Sequence, residues 1–370
     1  MTTLSTRTLA RLLAVLLATA LVAAACGDDD TSTESADATA SSSSSASASA
    51  SASASETADE ASASASEPAE GGAGDDGATV TVTDMTGEIT VPVIDENVLA
   101  LDEYAAIALL TLGITPETTA QFYGDFYDAG ENAIIEASGT SFIPPDNLEA
   151  LALASPALMV GIGHPNFEPF VDEHREIAPS VYPMFTSRWE EQTQVFAQVT
   201  GTEERAAAVT AAVAVRTEEV REAIEAAGLT GAEVSLIQTF PGEFYSYSES
   251  PLAGSVIKDL GFTRPPLQLE GDEFGFVSFS EEDLPSQTQA DIVIWIDAAF
   301  EGSLFDNPLV DMGDRIAVSA IPSWTANHAL GAWIMLEDVE RAVTGQPPLT
   351  PGADVAAVWS ELLAAIDAQA

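Results

Sequence analysis

The most regular pattern of apolar and polar positions begins near residue 78 and continues to the end of the chain. Residues 78–93 alternate apolar and polar side chains around Thr86 and Gly87, which predicts a short β-hairpin. An apolar run that ends at Asp102 then predicts a strand, and helical spacing over 103–113 predicts a helix.

Two later segments have long apolar runs: 157–163 is apolar throughout, and 290–297 is apolar between Asp291 and Asp297. Strands of this kind suit a sheet covered on both faces, which favours a parallel α/β arrangement. Asp146 or Asn147 can cap a helix that precedes the first of them. The same criteria predict further strands within 175–184, 232–240 and 319–324, and helices within 250–261, 280–287, 331–345 and 353–367.

Residues 202–228 form one long segment rich in Ala, Val, Glu and Arg, with Thr202 at its start and Gly228 at its end. This composition predicts a single helix of about 35 Å. Because α/β patterns lie on both sides of it, we predict two three-layer α/β lobes, 79–199 and 229–370, joined by a connecting helix at 200–228 and separated by a cleft.

The beginning of the chain has the features of an export signal. Arg7 and Arg11 are followed by an apolar run that ends at Cys26, the only cysteine. The run is shorter than the roughly 20 residues that span a bilayer. It resembles a bacterial lipoprotein signal, which implies that 1–26 ends at a lipidated Cys26 and that the protein sits on the outer face of the cytoplasmic membrane. The alternatives are an ordinary signal cut before Gly27 and an uncut anchor.

Residues 27–78 consist of Ser, Ala, Thr, Gly, Asp and Glu with a single Pro, and include no aromatic or large aliphatic side chain. Such a segment cannot bury enough apolar area to offset the entropy of ordering. We interpret it as a tether with a root-mean-square span of roughly 40 Å.

Charge excludes several kinds of partner. The chain has 59 acidic and 11 basic residues; 12 of the acids lie in the tether and two of the bases in the signal, so 47 acids and 9 bases remain. Such a surface repels nucleic acid and anionic lipid, and without a Gly-Lys pair there is no phosphate-binding loop of the Gly-Lys-Ser/Thr kind.

The ordered set of segments is similar to one known family. The segments TVTDMTGEITVP, NVLALDEYAAIALLTLGI, NLEALALASPALMVGIG and EIAPSVYP, the long helix, then FSEEDL, ADIVIWID and IAVSAIPSW resemble the periplasmic-binding-protein domain of ABC importers for ferric siderophores, haem and cobalamin. The resemblance implies a class III solute-binding protein that acts as a monomer, binds an iron chelate and delivers it to a permease and its ATPase. It also implies that Glu149 and Glu282 dock on permease arginines.

Ligands of α/β sheets bind beyond the carboxyl ends of the strands. On that rule we expect ligand contacts from aromatic and polar side chains that follow predicted strands, with Trp189, Tyr245, Tyr247 and Trp324 as the favoured rings because they adjoin polar or turn residues. The full set of ligand-binding candidates is Tyr104, His164, Asn166, Arg188, Trp189, Tyr245, Tyr247 and Trp324, with Phe244, Phe274, Phe276, Asn327 and His328 also considered.

Few arginines are available for an anionic ligand: Arg188, Arg264 and, less directly, Arg175 and Arg315. A strongly anionic catecholate complex usually needs several converging arginines. We therefore expect a neutral or cationic hydroxamate-type chelate.

Two other classes were considered. A related group of lipoproteins binds bare zinc or manganese through histidines, and His164 and His328 are the candidates here, with His174 expected to point elsewhere. An exported enzyme is a more distant alternative, since the chain has no Gly-x-Ser-x-Gly segment and no second cysteine. Haem and cobalamin remain alternative ligands.

Overall fold

Two five-stranded sheets and their flanking helices make up the part of the chain that the computed structural model describes, residues 78–124, 127–145, 147–240, 243–249, 252–272, 274–296 and 303–370. Cys26, the signal and the tether up to residue 77 lie outside the described residues, as do Phe126 and Asp146.

The predicted hairpin is confirmed. Strands β1 (Thr79–Asp84) and β2 (Gly87–Pro92) pair antiparallel, and the Asp84 carboxylate accepts a hydrogen bond of 2.7 Å from the backbone N–H of Thr86. Gly87 has φ 111°, a conformation that residues with a Cβ rarely adopt.

The first five-stranded sheet is parallel throughout, in the order β5-β4-β3-β6-β7. Three of its strands agree with the sequence prediction, whereas β4 (Thr118–Ala120), β5 (Ser141–Ile143) and the helix between them lie in 114–143, for which the sequence predicts no strand or helix. Its elements are β3 (Val98–Ala100), α1 (Glu103–Thr111), β4 (Thr118–Ala120), α2 (Ala129–Ala137), β5 (Ser141–Ile143), α3 (Leu148–Ala154), β6 (Leu158–Val160), α4 (Val171–Ile177), β7 (Ser180–Val181) and α5 (Trp189–Thr200).

The second sheet is mixed, in the order β10-β9-β8-β11-β12. Strands β8, β11 and β12 are parallel, and β9 and β10 run antiparallel at one edge. The elements are β8 (Val234–Phe240), β9 (Glu243–Tyr247), α7 (Leu252–Asp259), β10 (Phe276–Phe279), α8 (Leu284–Gln287), β11 (Ile292–Ile296), β12 (Ile316–Ala320), α9 (Ala329–Val343) and α10 (Val355–Asp367).

One helix, α6 (Glu203–Ala226), connects the two sheets, as the sequence predicts. Its small apolar side chains, including Ala212 and Val213, pack into the core, and it contacts α5, α9 and α10. Arg216 forms ion pairs with Glu337 and Glu340 of α9. The last helix, α10, also packs against α2, so the end of the chain returns to the first sheet.

Among the described residues, no helix is both long and apolar enough to cross a bilayer. The two sheets and the helix that connects them confirm the predicted α/β class and two-sheet architecture.

Candidate functional site

The loops at the carboxyl ends of the two sheets meet each other. The hydroxyl of Tyr104, just after β3, lies 3.1 Å from the Thr325 hydroxyl, just after β12. The Asn327 amide donates to the backbone carbonyls of Phe185 (3.1 Å) and Ser187 (2.7 Å), which follow β7. These contacts place the candidate site where α/β proteins usually bind ligands.

Two consecutive buried carboxylates organise this region. Asp102 caps α1 by accepting from the backbone N–H of Ala105 (2.8 Å), and it also accepts from Ile162 after β6 (2.7 Å). Burial raises the pKa of the Asp102 carboxyl to about 7, against the opposing effect of these hydrogen bonds. One side chain therefore holds the ends of two neighbouring strands together.

Glu103 fixes the loop after β4. Its carboxylate accepts hydrogen bonds from the backbone N–H groups of Phe122 (2.9 Å), Tyr123 (3.0 Å) and Gly124 (2.9 Å). Burial raises the pKa of the Glu103 carboxyl, and the three backbone donors oppose the shift. This loop presents two half-buried aromatic rings, Phe122 and Tyr123.

An aromatic cluster covers the side of the site formed by the first sheet and its helices, which we call the first half of the molecule. The second sheet and its helices are the second half. Tyr104 stacks on Tyr123 with ring centroids 4.2 Å apart and lies 5.1 Å from Tyr127. Phe122 stacks on Phe167 at 4.5 Å. Stacked and tilted rings of this kind form rigid contact surface. Tyr104 itself is only 8% exposed, so it supports the surface more than it contributes to it.

A second aromatic group joins the two halves. Phe185, after β7, lies 5.6 Å from Phe274 and 6.3 Å from Phe276, which belong to the second half. His164 packs against Phe185 at 4.8 Å and caps the following turn through Nδ1, and burial lowers the pKa of its imidazole. Together the two groups form a largely apolar aromatic layer at the strand ends, in which the half-buried rings of Phe122, Tyr123, Phe274 and Phe276 provide the accessible surface.

Three of the four favoured rings are more buried than the sequence suggested. Trp324 is 0% exposed and donates its indole N–H to Asp338 at 2.8 Å, so in this structure it belongs to the core and offers no surface to a ligand. Tyr247 is 2% exposed and bonds to Gln238. The physical reason is that an apolar ring beside a turn is as useful for closing a core as for lining a cleft.

Trp189 lies at the start of α5 and is 4% exposed. It lines a cavity of about 190 Å³ between α5, α6, α7 and α9, whose walls include Val213, Arg221 and Leu336. This cavity lies along the connecting helix, and the Trp189 ring belongs to the same buried cluster as Tyr104 and Phe185.

The remaining polar candidates have distinct settings. Tyr245 lies half-buried on strand β9, whereas we expected it in a loop that lines the cleft. Its hydroxyl donates to Glu243. Asn166 is exposed two residues after His164. Both stay predictions as ligand contacts.

Every basic side chain among the described residues already has an acidic or polar partner. Arg188 forms ion pairs with Glu190 (2.8 Å) and with Asp259 of α7. Arg264 is buried and bonded to Ser246, Tyr247 and Gln268, and burial lowers the pKa of its guanidinium to about 10. The others are Arg175 on Asp84, Arg205 on Asp367, Arg216 on Glu337, Arg221 on Glu218, Lys258 on Glu249, Arg315 on Gln289 and Arg341 on Glu337.

The histidines do not form the metal site that was considered. Within the described ranges, no three His, Cys, Asp or Glu side chains are grouped so as to hold a metal ion. His328 is 1% exposed and accepts a hydrogen bond from the backbone of Gly331 (3.0 Å), whereas His174 bonds to Tyr182. His164 remains half-buried beside Phe185.

Glu149 and Glu282 are exposed on different halves of the molecule. Glu149 lies in the first turn of α3, whose N-cap is Asn147, and Glu282 lies in a single helical turn capped by Ser280 and Asp283. Short capped turns fix the backbone positions from which both side chains extend into solvent.

Sequence reasoning missed four site residues: Phe122, Tyr123, Tyr127 and Phe185. The first two follow β4, a strand of three residues that is too short to show a periodicity. The sequence did contain one clue. Glu103 is a charged residue next to a predicted strand end, in an otherwise apolar helix, and such a residue indicates a side chain that binds a neighbouring loop.

Comparisons with known proteins agree with this fold. No family model matches the chain. A curated relative described as the probable siderophore-binding lipoprotein YfiY of Bacillus subtilis (strain 168) is 24% identical over 273 residues, covering 68% of this chain and 83% of the relative. The FhuD protein from S. pseudintermedius superimposes with a TM-score of 0.62 at 14% identity, over 73% of this chain and 99% of its own.

Two other solved structures contain ligands. Staphylococcus aureus SirA complexed with staphyloferrin B gives a TM-score of 0.59 at 13% identity, over 72% of this chain and 99% of its own. FhuD2 from Staphylococcus aureus with bound ferrioxamine B gives 0.54 at 17% identity, over 67% and 98%. The similar proteins are binding proteins, which favours binding over the enzyme alternative. The chain therefore has the fold of the siderophore-binding proteins, and its resemblance to that family of periplasmic binding proteins is confirmed.

Proposed function

We propose that this protein is the extracytoplasmic binding protein of an ABC importer, that it captures a ferric siderophore of the hydroxamate type, and that it is anchored by a lipid on Cys26. The fold, the sequence similarity to YfiY and the ligands in the SirA and FhuD2 structures support the transport role. The predicted lobes, 79–199 and 229–370, would enclose the ligand at the strand ends.

The choice of a hydroxamate over a catecholate rests on the partners of the basic side chains. An anionic catecholate needs several free arginines, yet each basic residue among the described residues is paired with a carboxylate or bonded to polar groups, and only Arg264 keeps buried guanidinium nitrogens, Nε and Nη1, without a hydrogen-bond partner. The rings at the strand ends instead favour a chelate with little net charge. Binding an anion would require Arg188 to leave Glu190 and Asp259.

Binding titrations followed by tyrosine and tryptophan fluorescence test this choice. We expect ferrioxamine B to bind at least tenfold more tightly than a ferric tris-catecholate of similar size. An Arg188→Gln variant serves as the control: its affinity for the hydroxamate should change little. Tighter binding of the catecholate, with loss of that binding in Arg188→Gln, would contradict the proposed ligand class.

Glu149 and Glu282 are the proposed docking residues for the permease. Charge pairs of this kind set orientation and association rate more than affinity for the cargo. In cells, the Glu149→Ala/Glu282→Ala variant should bind ferrioxamine B normally but support little uptake. The matched variant Glu136→Ala/Glu270→Ala also removes one exposed carboxylate from each half and should transport normally. Equal uptake by both double variants would argue against these docking residues.

A further inference from the structure

One short turn carries three side chains that make polar contacts between the second half and the first, in addition to the ion pair of Arg188 with Asp259. This segment, which we call the interface turn, comprises residues 325–328 between β12 and α9. Thr325, Asn327 and His328 each bond to a different part of the first half. Each of these partners is also connected to the aromatic surface at the strand ends.

Thr325 fixes the Tyr104 hydroxyl. Its own hydroxyl donates to the backbone carbonyl of Pro322 at 2.9 Å, so its oxygen is left to accept from Tyr104 at 3.1 Å. The Tyr104 ring also stacks on Tyr123, so the hydroxyl bond fixes the position of the stacked pair.

Asn327 fixes the loop that carries Phe185. Its amide nitrogen donates both hydrogens, one to the carbonyl of Phe185 and one to that of Ser187, and the residue is 4% exposed. The Phe185 ring in turn packs on Phe274 and His164. A buried amide with both donors used holds a loop in one register, because moving the loop leaves donors unpaired.

His328 fixes Tyr127. Its Nδ1 accepts the backbone N–H of Gly331, so the proton of the neutral ring is on Nε2, which lies 3.0 Å from the Tyr127 hydroxyl and 3.3 Å from Glu131. Glu131 is fully buried on α2, and burial raises the pKa of its carboxyl. The contact therefore joins the start of α9 to α2 across the interface between the halves.

We propose that Thr325, Asn327 and His328 are positioning residues: the interface turn sets the register of the two halves and holds Tyr104, Phe185 and Tyr127 in the arrangement that receives the ligand. The register itself does not depend on the identity of the ligand. Its consequence for ligand affinity rests on the proposed function.

The sharpest test is Asn327→Asp, which keeps the size of the side chain but replaces the amide donors by a carboxylate facing two carbonyl oxygens. Asn97→Asp is the matched control, because the Asn97 amide also donates to a backbone carbonyl, that of Ser155 at 2.8 Å, but within the first half. Both are made in the full chain with Cys26→Ser, and spin labels are placed at the exposed positions of Asp172→Cys and Asp314→Cys.

Distances between the two labels are measured without ligand at pH 7.5 and 4.5. We expect a narrow distribution for the parent and for Asn97→Asp at both pH values. Asn327→Asp should be shifted or broadened at pH 7.5 and should narrow at pH 4.5, because a protonated carboxyl can again donate one hydrogen bond. A parent-like distribution for Asn327→Asp at pH 7.5, or broadening that acid does not reverse, would overturn the positioning role.

His328→Asn provides a second variant if Asn327→Asp fails to fold. Asparagine can still cap α9, so only the contacts with Tyr127 and Glu131 are lost. The label distribution should broaden, and an unchanged one would overturn the role of His328.

Affinity for ferrioxamine B is then measured in the same proteins at pH 7.5. We expect Asn327→Asp to bind at least tenfold more weakly than Asn97→Asp. If the parent binds no ferric chelate, the proposed function fails while the distance result stands. If the parent binds and Asn327→Asp binds equally well, the proposed link between register and affinity is wrong.

Discussion

At the scale of single residues, Asp102 and Glu103 show that two polar side chains can hold several loops of the site together. These two adjacent carboxylates reach the backbone after β3, β4 and β6, and every bond they accept comes from a backbone N–H. Such groups are expensive to bury unless each oxygen is satisfied, which is the case here.

Replacing Glu103 by Gln tests this anchor. A glutamine has one acceptor oxygen, so we expect the Gly124 amide to face a donor, its hydrogen exchange to accelerate, and the free energy of unfolding to fall by about 1–3 kcal/mol. Hydrogen exchange and urea unfolding measure the two effects. Glu136→Gln, on the exposed face of α2, should change neither, and unchanged exchange at Gly124 in Glu103→Gln would refute the anchor.

The sequence predicted strand ends and aromatic candidates but could not separate core rings from site rings. Trp324 and Phe185 both follow a strand and both adjoin polar residues, yet Trp324 closes the core through Asp338 and Phe185 joins the two halves. The difference depends on contacts between residues 14 positions apart for Trp324 and 89 positions apart for Phe185, which no local pattern contains.

At the scale of elements, the connecting helix α6 was predictable because 24 residues of helix-forming composition leave a strong signal. The strands of the first sheet are only two or three residues long, so β4 and β5 gave none. Their place is set by pairing with β3, a tertiary effect.

A glycine in the middle of α6 should reveal how the helix couples the two halves. Ala214 is exposed there, so Ala214→Gly should lower the free energy of unfolding by about 1 kcal/mol through backbone entropy alone. Because α6 packs on helices of both halves, urea unfolding should remain a single transition at a lower midpoint. Ala357→Gly on α10 is the control for the local cost, and two separate transitions in Ala214→Gly would contradict the coupling.

At the scale of the whole molecule, the excess of acidic groups extends into the interior. Burial raises the pKa of Asp102 to about 7 and that of Asp338 to about 6, and it also raises the pKa of Glu103, Asp128 and Glu131. A raised pKa in the folded state means that stability is lost as pH rises through that value.

We therefore expect the free energy of unfolding to be higher at pH 6 than at pH 8, by about 1–2 kcal/mol and mainly through Asp102, since one pKa unit corresponds to about 1.4 kcal/mol. Below pH 6 the trend should weaken, because burial lowers the pKa of His164 and His174 and their protonation opposes folding. Urea unfolding in about 0.5 M salt, which screens surface repulsion, measures this. Equal or greater stability at pH 8 would contradict it.

The hydrogen bonds that hold the loop after β4 are made by its main chain, and this has an evolutionary consequence. Because Glu103 binds amide groups that every residue except proline possesses, these bonds can form with almost any residue at positions 122 and 123, although an exchange there loses the stacking of Phe122 on Phe167 or of Tyr123 on Tyr104. New ligand preferences can thus arise through different side chains on an unchanged loop backbone. Descendants of this protein can therefore change the ligand they bind while they keep the same fold.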